Sequence, residues 1–178
     1  VLDRANTIEF NRVELSNLSF LDDLEEVAAE SVLDDSFRSK YLHLKDVYSE
    51  KKELVEETTD FLVKINKILQ PLNAHVGYRV RDEICFYMAY NDDGNLLTKE
   101  QALDHCILQK ILPRIAGSDS RVKELLDNLF QLFTNKVISG DFETDEEEAK
   151  RSAYPNSTLK VLEMMRRLDD GFTSFWIS

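Results

Sequence analysis

The sequence predicts a mainly α-helical fold that carries one short strand near its start. Apolar residues recur at intervals of three and four along most of the chain, which is typical of helices that bury one face. The five glycines and three prolines mostly stand between these segments, where they end helices. Thr7–Phe10 has the pattern of a strand, and few other strand candidates follow it.

The first half of the chain divides into amphipathic segments. Leu15–Val32 carries a rough stripe of leucine and valine, and Glu50–Leu69 is the clearest helix, which Pro71 ends. Arg79–Tyr90 places one apolar stripe along a third helix. Asn91–Asn95 is rich in Asn, Asp and Gly and is predicted as a turn.

The second half continues in the same way. Thr98–Ile115 is predicted as a helix with a capping box between Thr98 and Gln101, and Pro113 disturbs its last turn. Ser118 or Asp119 is expected to cap the next helix.

The end of the chain contains an acidic run, a helix and an apolar tail. Ser139–Ser152 holds five carboxylates within six positions and is predicted as a solvated loop or disordered tip. Pro155 opens a final helix that Gly171 ends, and the aromatic tail 172–177 is expected to pack on this fold or on a neighbour.

Composition limits the function classes. The chain has 178 residues and a net charge of −12, which argues against a broad nucleic-acid footprint, since such a footprint needs a basic face. No apolar run approaches the length of a membrane span. Cys85 and Cys106 lack disulfide or zinc spacing and are interpreted as reduced core thiols, so a cytoplasmic location is expected. The strand so near Val1 suggests a piece of a larger protein.

The turn around Gly77 is the most informative segment. Gly77 breaks the backbone, and Arg79 and Arg81 follow at what is predicted to be the first turn of a helix. A helix N-terminus carries a partial positive charge, so cations there are locally unfavourable unless an anion such as phosphate sits at that end. The alternative is that both arginines simply reach into solvent.

No complete active site can be assembled from this sequence. A GxxxxGK phosphate loop, a GxSxG elbow and a magnesium-binding acidic strand are all missing. The three histidines are scattered, and the acidic run lacks the defined geometry that a metal site needs, so no metal ligands are predicted.

Four segments together resemble McrB-like AAA+ proteins. Val1–Phe10 resembles the stretch after sensor 1, and Gly77-Tyr78-Arg79-Val80 with Asp82-Glu83-Ile84 resembles the sensor-2 turn and helix. Ala102-Leu103-Asp104 with Leu108–Gly117 is similar to the stretch that follows it. Tyr154-Pro155, the final helix and Gly171–Trp176 resemble the end of that group.

The resemblance implies a fold and a division of the chain. It implies that residues 1–14 end an α/β nucleotide-binding core as a short strand stub. Residues 15–178 would then form a helical AAA+ lid-type bundle, with an acidic loop near 140–152. The phosphate loop and the magnesium-binding acids would lie upstream of Val1.

The resemblance also implies roles for particular residues. Arg79 matches the sensor-2 position and would reach the terminal phosphate of GTP or ATP, bound with Mg²⁺, beside Gly77 and Tyr78. Arg81 is the weaker candidate. Many members of the group have one or two arginines here that reach the site of the neighbouring subunit, but this chain has Thr7, Ile8 and Glu9 at that place. Arg4 or Arg12 would take this role, or neither would, and Arg4 is the catalytic candidate.

The implied function is that of the lid part of a ring-forming nucleotide hydrolase that powers a DNA restriction system. Its implied partners are its own upstream core, other copies of itself, a partner nuclease and, through other subunits or domains, DNA. This stretch alone is not expected to bind nucleotide tightly. The alternative from another class is a helical protein–protein interaction or scaffold domain without a nucleotide role.

Overall fold

The computed structural model describes residues 5–8 and 39–176, and this part of the chain is mainly helical, as predicted. It contains seven α-helices and one antiparallel sheet of two short strands. The helices are α1 Leu44–Glu50, α2 Lys52–Leu69, α3 Tyr78–Gly94, α4 Lys99–Cys106, α5 Ser120–Thr134, α6 Phe142–Arg151 and α7 Pro155–Asp169. The strands are β1 Ala116–Gly117 and β2 Thr173–Ser174.

Part of the sequence prediction falls beyond this description. The predicted helix Leu15–Val32, the candidate Arg4 and the alternative Arg12 lie outside the described residues. Of the predicted strand Thr7–Phe10, only Thr7 and Ile8 are described, and they have no regular secondary structure. The strand prediction is therefore wrong for these two residues.

Helix α2 follows its apolar pattern closely. Its buried side chains recur at helical spacing and are Val55, Thr58, Leu62, Ile65 and Leu69. Glu53 in the first turn and Lys67 in the last turn both complement the helix dipole. A 3₁₀ turn with Pro71 follows, and Asn73 then takes a left-handed conformation at φ 53°, which redirects the chain toward α3.

Helix α3 extends beyond the predicted boundary. The segment Asn91–Asn95 was predicted as a turn, but the helix continues to Gly94 and ends at Asn95 with φ 49°. Asn91 is buried, and its side-chain amide bonds to both the N–H and the carbonyl of Leu97 at 3.0 Å. The Asn91 side chain therefore holds the backbone that follows the helix, and the turn lies after Gly94 and not at Asn91.

The predicted helix Thr98–Ile115 is divided into three parts. After α4 the backbone widens into a π-helix at Ile107–Ile111 and tightens into a 3₁₀ turn at Leu112–Arg114. Pro113 cannot donate to the carbonyl of Gln109 four residues earlier. That carbonyl accepts a hydrogen bond from the Thr7 N–H at 3.3 Å, which holds residues 5–8 against the helical body.

The acidic segment was predicted as a loop near 140–152, and this prediction is wrong, because residues 142–151 form α6. Asp141 caps the helix by accepting from the Thr144 N–H at 3.2 Å. Asp145 is buried and accepts from the Ser139 N–H and hydroxyl, both at 2.9 Å. Pairs four residues apart join the acids to Lys150 and Arg151, so the charges support the helix.

The core lies between α2, α3, α4, α5 and α7, and its largest fully buried side chains include Phe130, Ile65 and Ile111. In the tail, β2 pairs with β1 in the register Ala116 to Ser174 and Gly117 to Thr173. Phe175 is buried in the same core, whereas Trp176 is half exposed. The tail therefore packs on this fold through one of its aromatic residues.

Within the described ranges, no helix is long and apolar enough to cross a membrane.

Candidate functional site

The candidate site is the start of α3, where Gly77 is the N-cap residue in an extended conformation. No side chain caps this helix end, and the first turn contains no acidic residue. The side chains of Tyr78 and Arg79 are 80% and 58% exposed. Because the first backbone N–H groups have no acceptor side chain, this helix end has unused capacity to bind an anion.

The two arginines of the turn have different surroundings. The Arg81 guanidinium donates twice to Asp82 Oδ1, at 2.8 and 2.6 Å, and lies 5.1 Å from the centroid of the Tyr78 ring. The Arg79 Nε lies 3.8 Å from the Glu83 carboxylate, at the edge of ion-pair range. Arg79 therefore has the longer and more exposed ion pair, whereas Arg81 is held by close hydrogen bonds to Asp82.

Glu83 connects this turn to the π-helix. Its Oε2 accepts from Lys110 Nζ at 2.5 Å, and Lys110 is almost fully buried. Since a buried ammonium needs a partner, Glu83 is committed first to Lys110 and only weakly to Arg79. A ligand could therefore take Arg79 from Glu83 without leaving Lys110 unpaired.

Two side chains from other elements hold the backbone that leads into Gly77. The Asn66 amide of α2 accepts from the Val76 N–H at 2.8 Å and donates to the Val76 carbonyl at 2.9 Å. Arg114 donates to the carbonyls of Ala74 and His75 at 3.1 and 3.2 Å. These contacts fix the position and direction of the first turn of α3 relative to the core.

A buried carboxylate joins two further segments. Asp104 of α4 is fully buried, and its carboxylate accepts from the Ser157 N–H at 2.8 Å. It also accepts from the Asn156 N–H and the Asn156 side-chain amide, both at 2.9 Å. Helix α7 has no cap from its own N-cap residue, Tyr154, so Asp104 supplies one from another helix.

Gly117 explains why the two short strands can meet. Its φ of +150° lies in a region that other residues rarely adopt, and a Cβ there would approach Val122 Cγ2 to 2.7 Å. A larger residue at this position would push β1 away from α5 and disturb its pairing with β2.

The structure brings Gly77, Tyr78, Arg79 and Arg81 together at one helix start, whereas Arg4 lies outside the described residues. Sequence reasoning missed the positioning side chains Asn66, Arg114 and Asp104. A polar residue within a largely apolar stripe was the available signal for Asp104. Nothing local indicated its partners, because they lie about fifty residues away along the chain.

Chemically, the uncapped N–H groups and the exposed guanidinium can bind an anion, while the neighbouring carboxylates of Asp82 and Glu83 pair with Arg81 and Lys110. Among the residues that the structure describes, no group of three His, Cys, Asp or Glu side chains is placed to hold a metal ion. The candidate site is therefore a helix start without a side-chain cap and with one exposed guanidinium, that of Arg79.

Comparison with known proteins gives a family. Neither the curated proteins nor the solved structures yielded a match to this chain. One family model, described as "Domain of unknown function (DUF8727)", matches residues 19–172 and so covers most of the sequence. The chain belongs to this DUF8727 family.

Proposed function

We propose that this chain is the lid-containing C-terminal part of a McrB-like AAA+ nucleotide hydrolase that powers a DNA restriction system. The observation that carries the proposal is the start of α3, which lacks a side-chain cap and presents the exposed Arg79. The resembling sequence segments support the choice of the McrB-like group, and the contacts between them are consistent with their order along the chain.

The residues present fit one side of a phosphate site. A phosphate oxygen could accept from the free backbone N–H groups after Gly77 and form paired hydrogen bonds with the Arg79 guanidinium. Tyr78 would border the phosphate, and Arg81 would act indirectly, since Asp82 and the Tyr78 ring occupy its guanidinium. GTP or ATP with Mg²⁺ would supply the reacting phosphate, while the upstream core would hold the metal.

In this proposal the chain contributes binding and movement. Arg79 would neutralise charge on the terminal phosphate, and its release after hydrolysis would let the lid move relative to its own core. Arg4 would act in trans on the neighbouring subunit of a ring. A partner nuclease would use the movement, and DNA would be contacted through other subunits or domains.

The decisive experiment is Arg79→Ala in the full-length protein that contains this chain. We expect nucleotide turnover to fall by about 100-fold or more, as when other charge-stabilising groups are removed. Since Arg79 is exposed, the free energy of unfolding should change by less than about 0.5 kcal/mol. Arg79→Lys should recover only part of the activity, because an ammonium lacks the two-pronged geometry.

Arg121→Ala is the matched control. Arg121 is an exposed arginine in the first turn of α5, but it pairs with the N-cap residue Asp119. Its loss should leave turnover unchanged. Unchanged turnover in Arg79→Ala would refute the proposal, and so would the absence, upstream of Val1, of a strand followed by GxxxxGK and a serine or threonine.

One observation favours the second candidate function, a helical interaction or scaffold domain. Phe172 and Trp176 are 59% and 49% exposed on either side of the buried Phe175. Exposed aromatic residues are frequent anchors of protein interfaces. If replacing both by serine abolished a biological activity that Arg79→Ala left intact, the scaffold function would be preferred.

A further inference from the structure

A cleft of about 320 Å³ lies where the π-helix meets α3. The π-helix contributes Gln109 and Lys110, and α3 contributes Glu83, Ile84 and Tyr87. Turns of π-helix are rare and are frequent at functional sites. The volume falls in the range of small-molecule sites in proteins, so the cleft can hold a compact ligand.

Lys110 places an ammonium group at the wall of this cleft. Its side chain is 8% exposed, and its Nζ donates to Glu83 Oε2 at 2.5 Å. An ammonium has three N–H donors, but Glu83 is the one acceptor that Nζ has within the described residues. Since buried polar groups are usually hydrogen-bonded, unused donors on a nearly buried ammonium are uncommon. Glu83 is 34% exposed and lines the same cleft, so an acceptor that enters beside it can reach Lys110.

The charges at this wall favour an anion. Among the described residues that line the cleft, Glu83 is the one carboxylate, and it pairs with both Lys110 and Arg79. Two positive charges and one negative charge leave a local excess of one positive charge, although the chain as a whole carries −12. Asn6 and Gln109 also line the cleft, and their side-chain amides can donate hydrogen bonds. A single bound anion would therefore balance the charge and meet several donors.

The rest of the lining is apolar or aromatic. Ile84 is 1% exposed, and the Tyr87 ring is 39% exposed, so it offers one face to a ligand. The Cys106 thiol lines the cleft as well, and burial raises its pKa to about 12 although Lys110 lies near it. This thiol therefore stays protonated at neutral pH and adds to the apolar surface.

We propose that this cleft binds a small aromatic monocarboxylate. The carboxylate would accept from Lys110 Nζ and from the side-chain amides of Asn6 and Gln109. The ring would lie against Ile84 and Tyr87. This site goes beyond the nucleotide role, because its ligand contacts Lys110 and leaves Arg79 paired with Glu83.

The test is a titration of the 178-residue chain with benzoate, followed through the backbone amide signals of α3 and the π-helix. Benzamide is the matched neutral probe, since it has nearly the same shape but an uncharged amide. We expect saturable shifts around Tyr87 and Lys110 with benzoate and an affinity for benzamide that is weaker by about tenfold or more. Salt should weaken the binding of benzoate, since the contact with Lys110 is ionic.

Four variants locate the site. Lys110→Met keeps a long side chain and should weaken benzoate binding by about tenfold or more, the effect of losing a hydrogen bond to a charged group. Tyr87→Ala removes the exposed ring and should weaken it by about fivefold. Lys150→Met removes the same charge from the exposed surface of α6 and should leave the affinity unchanged. Arg79→Ala leaves every contact in the cleft and should weaken binding by about twofold or less.

Four results would overturn the proposal. Equal affinity for benzoate and benzamide would show that the carboxylate charge is not recognised. An equal loss in Lys110→Met and Lys150→Met would show attraction to net charge rather than to this cleft. A greater loss in Arg79→Ala than in Lys110→Met would place benzoate at the start of α3. If circular dichroism shows that Lys110→Met does not fold, unchanged affinity in Tyr87→Ala would decide against the cleft.

Discussion

Replacing Asp104 should destabilise the fold more than replacing any local helix cap. In Asp104→Ala, the Ser157 N–H loses its acceptor in a fully buried position, which costs about 2 kcal/mol. The backbone and side-chain N–H groups of Asn156 are exposed and can bond to water instead. Loss of the negative charge at the start of α7 adds about 1 kcal/mol. The expected total is about 3 kcal/mol.

The assay is urea unfolding followed by circular dichroism, with Asp119→Ala as the matched control. Asp119 caps α5 through its own backbone neighbours and is exposed, so its loss should cost about 1 kcal/mol. Asp104→Asn keeps the side-chain volume and one acceptor oxygen and should cost about 2 kcal/mol. In thermal unfolding, Asp104→Ala should lower Tm by about 6–12 °C.

The reasoning fails if Asp104→Ala costs no more than Asp119→Ala. Such a result would mean that water reaches Ser157 or that α7 shifts to satisfy its own N-terminus. An unchanged dependence of the unfolding free energy on urea would show that the variant affects the folded state and not the compactness of the unfolded chain.

Two further predictions concern titratable groups. Lys51 and Lys40, with the Tyr41 hydroxyl, lower the pKa of Asp93 to about 2, so the stability that this carboxylate provides is complete above about pH 4 and is lost as the pH falls toward 2. Asp93→Asn should therefore lower the free energy of unfolding at pH 5 by on the order of 1 kcal/mol after solvent screening, and by much less at pH 2, where about half of the native carboxylate is already protonated. Burial raises the pKa of the Cys85 thiol to about 11 and that of Cys106 to about 12, so iodoacetamide at pH 8 should alkylate them rapidly only in urea. Rapid alkylation of the folded chain, counted by mass spectrometry, would contradict the burial of both thiols.

The sequence predicted those features that depend on near neighbours. The capping box is confirmed, since the Gln101 N–H donates to Thr98 and the Thr98 N–H donates to the Gln101 side chain. The Asp119 cap is confirmed by its bonds to the N–H groups of Arg121 and Val122. In each case donor and acceptor lie within three residues, so local composition is enough to identify them.

The acidic run shows where local composition misleads. High charge density indicated a loop, but the prediction did not weigh the order of the charges. Acids lie toward the start of α6 and Lys150 and Arg151 lie at its end, which suits the helix dipole. The buried Asp145 carboxylate also accepts hydrogen bonds from the N–H groups of the preceding loop. A prediction from net charge alone counts Asp145 only as one more repelling acid and misses this stabilising contact.

The candidate site was only half predictable for the same physical reason. Gly77 and Arg79 could be found because a glycine before cations at a helix start is a local anomaly. Asn66 and Arg114 could not be found, because their acceptors lie ten and about forty residues away along the chain. Long-range polar contacts of this kind are fixed by packing, which a single sequence does not reveal.

The contacts between the resembling segments limit what the resemblance can prove. Arg114 holds the carbonyls before Gly77, Asp104 caps the helix after Tyr154, and β1 pairs with β2, so every described segment of the resemblance contacts another. These contacts are needed to build the fold whether or not a phosphate ever reaches Arg79. They therefore give a structural reason for the order of the segments but carry no information about the ligand. Among the described residues discussed above, the exposed Arg79 is the one for which a nucleotide-sensing lid and a helical scaffold with the same core predict different results. Turnover in Arg79→Ala, compared with Arg121→Ala, therefore tests between the two functions.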